Sequence, residues 1–163
     1  MNHAMLQRIV EEVAARLRRR ALSTATLSVA QLGEADIRSL LCQHASLRIV
    51  QVDLPLLEQL AGQRALAAAG CALHEAMAWG VRVQLTLLPA LLPALAVKKL
   101  ARLPLTFSDP LGQPVRLHAA SVLTYADVAR FSGGYLVLRR RPIITALARK
   151  AAVARHVQLI KQE

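Results

Sequence analysis

The sequence predicts a single α/β domain, a mixed β-sheet flanked by helices and preceded by an N-terminal amphipathic helix. Three observations carry this expectation. Short segments of alternating apolar and polar residues recur between segments with helical periodicity. Residues 4–20 place their apolar side chains on one helical stripe. The 163 residues are 55% hydrophobic and 19% charged, enough to bury a core without disulfide or metal and too apolar for disorder.

The first element is the helix 4–20, with Leu6, Ile9, Val10, Val13 and Leu17 on one stripe and Gln7, Arg8, Glu11, Glu12 and Arg16 around it. Arg18, Arg19 and Arg20 fall in its last turn, where cations favour the helix dipole, and Ser23-Thr24 mark a break. Thr26–Gln31 alternates as a strand does, Gly33–His44 suits a short helix, and Leu47–Val52 is a second strand. Pro55 suits a helix start, and Leu56–Trp79 reads as helical with a break near Gly70.

Val81–Leu87 alternates most clearly, and residues 90–102 are helical or irregular around Pro93. Leu105–Phe107 and Val115–Leu117 flank the turn segment SDPLGQP. Ser121 is a candidate cap for a helix 122–131 that ends at Gly133-Gly134, before a strand Tyr135–Leu138. A basic helix 143–156 precedes Val157–Ile160. Strands covered by helices on both faces are nearly all apolar, whereas VRVQLTL and TLSVAQ are half polar. Either they lie at an edge or part of one face is open, so the expected sheet has incomplete helical cover.

Residues 1–22 form the N-terminal helix, a candidate docking arm, and residues 23–163 form the domain, whose C-terminal half is basic. Residues 1–81 hold eight Lys/Arg and seven Asp/Glu, and residues 82–163 hold thirteen and three. Such asymmetry points to an acidic partner, a nucleic acid or a membrane surface, or to a solvated face that keeps an apolar protein in solution. The apolar run Val83–Val97 is interrupted by prolines and falls short of the about 20 residues that cross a bilayer. No cleavable leader opens the chain, and two cysteines suit a reducing cytosol, so the expectation is a cytoplasmic protein.

Chemistry-bearing patterns are weak. Cys42-x-His44 with Cys71-x-x-His74 matches no common zinc spacing, and both thiols sit in apolar helices where they behave as small hydrophobes. His74-Glu75 lacks a second histidine, and Gly133-Gly134 precedes a strand, the wrong order for a phosphate loop. We therefore expect no catalytic residue, metal or cofactor. Basic clusters Arg18–Arg20, Lys98/Lys99/Arg102, Arg139–Arg141 and Arg149/Lys150/Arg155 suit phosphates, but none is interleaved with stacking aromatics, which disfavours nucleic acid. The N-terminal helix packs on its own domain or lays its stripe on a partner.

The segments MLQRIVEEVAARLRRRALSTATLSV (5–29), LCQHASLRIVQVDLPLLEQLA (41–61), VKKLARLPLTFSD (97–109) and ARKAAVARHVQLIKQE (148–163) resemble a family of bacterial microcompartment assembly proteins of propanediol utilisation. The resemblance covers the whole chain. RRRPIITALARKAAVARHVQLI (139–160) is similar to an ITPLARD pattern of several microcompartment-associated proteins, with Ala146 replacing the usual proline and Lys150 the usual acid. The ligand role of that pattern therefore does not carry over.

The resemblance implies a non-catalytic structural protein in a cytoplasmic microcompartment, with shell proteins or lumen enzymes as partners. It also likens residues 4–20 to helices that direct cargo into such shells. Partner-binding candidates are thus Leu6, Ile9, Val10, Val13 and Leu17, with Arg139, Arg140 and Arg141 for an acidic surface. Two other readings stand beside it, a domain for a nucleotide- or cobalamin-related cofactor, resting on fold analogy, and a nucleic-acid module.

Overall fold

The computed structural model describes residues 2–162. Helix α1 (His3–Leu22) starts at Asn2, whose side chain accepts from the Ala4 N–H, and ends at extended Ser23. Then come β1 (Thr24–Ser28), α2 (Val29–Glu34), α3 (Ile37–Gln43), β2 (Ser46–Val50), α4 (Leu54–Leu60), α5 (Ala68–Ala78) and β3 (Arg82–Thr86). A 3-10 helix (Pro89–Ala94) and α6 (Val97–Leu100) lead to β4 (Leu105–Ser108) and β5 (Pro114–His118). The chain finishes with β6 (Val122–Leu123), α7 (Tyr125–Ala129), β7 (Tyr135–Leu138), β8 (Ile143–Ile144), α8 (Ala146–Ala154) and β9 (Gln158–Lys161).

Where these ends depart from the sequence expectation, a capping side chain gives the reason. Ser28 accepts from Gln31 N–H while the Gln31 side chain accepts from Ser28 N–H, a capping box that stops β1 and begins α2. The strand therefore covers 24–28 instead of 26–31. Asp36 likewise starts α3, splitting the helix expected over 33–44. The break expected at Gly70 occurs at Gly62, in the left-handed region at φ 71°. Gly70 lies inside α5 because a Cβ there would meet Gln59 Oε1 at 2.5 Å and Leu66 Cδ2 at 3.0 Å. The helices expected over 122–131 and 143–156 each begin later, since Val122–Leu123 and Ile143–Ile144 pair in a small parallel sheet. Thr124, not Ser121, precedes α7, and Thr145 caps α8.

The seven-stranded sheet has the order β1-β2-β3-β4-β5-β7-β9 and is parallel except between β4 and β5. In β1 to β4 the registers Ala25↔Leu47, Leu47↔Val83 and Leu85↔Phe107 align the apolar positions on one face. There they form one core with residues of α2 to α6, reaching Val115 and Val137. In β7 the alternate residues Leu136 and Leu138 point the other way, into a second core with Val128 of α7 and Ala148, Ala151 and Ala152 of α8. The reversal at β4–β5 accounts for the switch. Crossovers of one hand that progress in the same direction across the sheet change face when the strands turn over.

The second face of β1 to β4 consequently has no helix on it. Thr24, Thr26, Arg48 and Thr106 are exposed and Gln84 is half-buried there, while Val83 and Leu85 on the other face are buried. The half-polar strands thus mark incomplete helical cover. For the interior strand β3 an open face alone explains the pattern; β1 is also an edge.

Candidate functional site

Helix α1 buries none of its residues. Leu6, Ile9, Val10, Val13 and Leu17 stand 45–59% exposed, and Met5 extends the stripe. Full burial of such a side chain is worth about 1.5–3 kcal/mol, and with each about half exposed roughly half of that remains unspent along the stripe. The polar side is self-contained, with Arg16 paired to Glu12 at 2.7 Å and Gln7 donating to Glu11 at 3.1 Å. Only the C-terminal end is anchored, where Arg20 Nε donates to Leu41 O at 3.0 Å and Ala45 N–H donates to Arg20 O at 3.2 Å.

Helix α1 ends differently from helices α4, α5 and α8. At the ends of α4, α5 and α8 the backbone closes on itself, with Gln63 N–H donating to Glu58 O, Val81 to Ala76 and Val157 to Ala152. Each such end carries a residue of positive φ, Gly62 at 71°, Gly80 at 73° and His156 at 55°. Those turns bring the chain back along the helix. Between α1 and β1 stands only Ser23, extended at φ −89° and ψ 131°, and the chain runs on without reversing. Helix-to-strand connections that fold back usually take at least two residues.

The basic candidates sit elsewhere. Arg139, partly buried, and exposed Arg140 follow β7 and share a hollow of about 240 Å³ with Lys98, Lys99 and Gln162. Arg141, exposed at φ 53°, does not line it. The sequence shows these as two separate clusters; the packing of α6 beside the end of β7 merges them. Arg139 Nε is buried without a hydrogen-bond partner, a loss of about 1–3 kcal/mol for a dry donor. The α1 stripe and this hollow share no lining residue.

The open sheet face carries two further hollows. One of about 570 Å³ reaches from Thr26, Arg48 and Gln84 to Val50, Val52 and Leu88. The other, about 360 Å³, lies between Arg48 and Arg82 with Thr24, Ser46 and Gln84. Single positions in alternating strands gave no signal of this gathering before the register was known.

The metal candidates are not brought together. Cys42 and Cys71 are both exposed, contrary to their expected place on apolar stripes, because the buried positions beside them belong to Leu41 and Ala72. His44 Nδ1 shares a hydrogen bond with the Ser23 hydroxyl, and Glu75 pairs with Arg38. Among the described residues no three His, Cys, Asp or Glu side chains cluster to hold a metal. The Asp127 carboxyl is held below its usual range because it accepts from the Thr124 N–H and hydroxyl. Arg116 lies 4.3 Å over the Phe131 ring, an aromatic pairing of a basic residue outside the clusters. No helix among the described residues is long and apolar enough to cross a membrane.

Comparison with known proteins places the chain. The model of the PDU-like propanediol utilisation family matches residues 8–158. The bacterial microcompartment assembly protein PduM of Salmonella typhimurium strain LT2 is 60% identical over 163 residues, covering all of both chains. The protein of that name from Citrobacter freundii is 57% identical, also over the full length of both. No solved structure matches. The chain belongs to this propanediol utilisation family.

Proposed function

From that membership we propose that the chain is a non-catalytic assembly component of a cytoplasmic propanediol-utilisation microcompartment, linking lumen enzymes to the shell. Residues 1–22 act as a docking arm and residues 23–163 as the body that carries it. The observation behind this reading is the α1 stripe, exposed along Leu6, Ile9, Val10, Val13 and Leu17 and joined to β1 by the single extended residue Ser23. An amphipathic helix of this kind binds by laying its apolar face in a partner's groove. Arg139, Arg140 and Arg141, with Lys98 and Lys99 beside the first two, add attraction for an acidic partner surface.

The test is the variant Ile9→Asp/Val13→Asp, read two ways. Its thermal melt should match the parent within about 4 °C, since two exposed sites away from special contacts change stability by roughly 0.5 kcal/mol or less each. Its amount in purified microcompartments should fall at least tenfold. A melting temperature lowered by many degrees would instead put the stripe in the protein's own core. Normal melting with normal organelle abundance would end the docking reading.

A further inference from the structure

The uncovered face of β1 to β4 is the feature that assembly through α1 leaves unused. We propose that it binds a small organic oxyanion, a carboxylate or a phosphate ester, with the charged head between Arg48 and Arg82 and the body in the larger hollow. In the register Arg48 lies opposite Gln84, and Arg82 precedes Gln84 by two on the same face. Strand spacing and rise then set the two arginine Cα atoms about 8 Å apart. That separation suits two guanidinium groups converging on one oxyanion, which each can grip through parallel N–H donors.

The groups around the head are donors. Thr24, Ser46 and Gln84 line the hollow between the arginines, and no acid lines it among the described residues. Among the described residues neither arginine has an ion-pair partner, and the Arg82 side chain makes one long hydrogen bond, 3.5 Å to Ala21 O. Gln84 Nε2 donates to Ser108 Oγ at 2.9 Å, which leaves the Ser108 O–H to donate in turn. Asp109 is the acid of the larger hollow, at its far end. It is 4% exposed, and its Oδ1 accepts from the N–H groups of Leu111 and Gln113, so it serves its own turn.

The larger hollow has the size and make-up of a ligand site, about 570 Å³ with Val50, Val52 and Leu88 as apolar wall. It lies toward the carboxyl ends of β1 to β4, and the arginine head site lies toward their amino ends, beside Thr24 and Ser46, so the two hollows follow one another along the open face. At its rim Gln51 is held at φ 55°, a strained backbone for a residue other than glycine. A second copy's α1 is a poor occupant. It carries Arg8, Arg16, Arg18, Arg19 and Arg20 against only Glu11 and Glu12, and its apolar stripe does not match a face of hydroxyls and arginines.

The test titrates the full chain with inorganic phosphate and, separately, succinate, following backbone amide NMR shifts. The expected result is saturable shifts confined to residues around Thr24, Arg48 and Gln84. They should weaken at least tenfold in Arg48→Gln/Arg82→Gln and persist in a control at exposed positions on α8, Arg149→Gln/Lys150→Gln. Saturation by phosphate alone assigns a phosphate ester, and saturation by succinate alone assigns a carboxylate. Shifts spread over every basic surface, equal in both variants, would overturn the proposal. So would no saturation by either anion, including the case in which only an acidic peptide binds. Both arginines are exposed, and a far-UV spectrum and melt unchanged in the double variant keep the comparison valid.

Discussion

Helices α1 and α8 are both amphipathic and both run into a strand, yet only α8 lies on the sheet. The difference is at their C-terminal ends. α8 closes through Arg155–Val157, with His156 in the left-handed region, and turns Ala148, Ala151 and Ala152 onto Leu136 and Leu138. α1 passes into β1 through one extended residue and leaves its larger, more apolar side chains in water. In this pair the helix that ends in a reversing turn buries its stripe, and the helix that runs straight into its strand does not, although its stripe is the more apolar.

The strongest test of this contrast compares equivalent truncations on the two sides. Leu138→Ala, beneath α8 and fully buried, should cost about 2–5 kcal/mol in urea unfolding. Leu17→Ala, of the same chemistry but on α1, should cost less than about 0.5 kcal/mol. Similar losses at both sites would show that α1 contributes to the global core.

A sharper test addresses the reversing turns themselves. Gly80 at φ 73° has open space around it, so Gly80→Ala should lose about 1–2 kcal/mol from backbone conformation alone. His156→Gly should recover up to about 1 kcal/mol by the same logic, since His156 holds a left-handed φ of 55°. Equilibrium unfolding of the two variants checks the opposite signs. Loss of stability in both would mean that the His156 side chain, and not its backbone, matters at that turn.

The smallest expected effect concerns how a helix starts instead of how it ends. Asp127 accepts from the Thr124 N–H and hydroxyl at the start of α7, and these bonds hold its carboxyl below the usual carboxylate range. A carboxyl depressed in the folded state stabilises above its unfolded pKa, and that contribution vanishes as pH falls through the lower folded value. Asp127→Asn should thus be less stable than the parent by roughly 0.5 kcal/mol at pH 7, as for an exposed cap. The two should converge once the pH falls through the lowered pKa of the folded carboxyl. A gap that stays constant down to that pH would assign the effect to packing.

Much of this architecture was legible in local pattern, because side-chain period and turn chemistry act over a few residues. The alternation in VRVQLTL pointed to an edge strand or an open face, and SDPLGQP marked a turn, which the structure shows to join β4 and β5 antiparallel. The ends of elements were less legible where two local signals competed. In TLSVAQ the strand pattern ran into the Ser28–Gln31 capping box, and the cap prevailed by satisfying backbone donors at the start of α2. Gly70 looked like a helix break because its helix-breaking tendency is local, whereas the close approach of the Gln59 and Leu66 side chains that its missing Cβ admits is not.

By itself, then, the sequence determined the α/β class, the half-covered sheet and the existence of an apolar stripe on α1, since each follows from periodicity. Only the tertiary structure decided which surfaces meet. Lys98 and Lys99 join Arg139 and Arg140 in one hollow although about forty residues separate them, and Arg48 meets Arg82 only through the β2–β3 register. Contacts between such distant positions depend on strand order, register and the direction of each connection. No short window of residues encodes them, because the free energy that selects them is shared across the whole core.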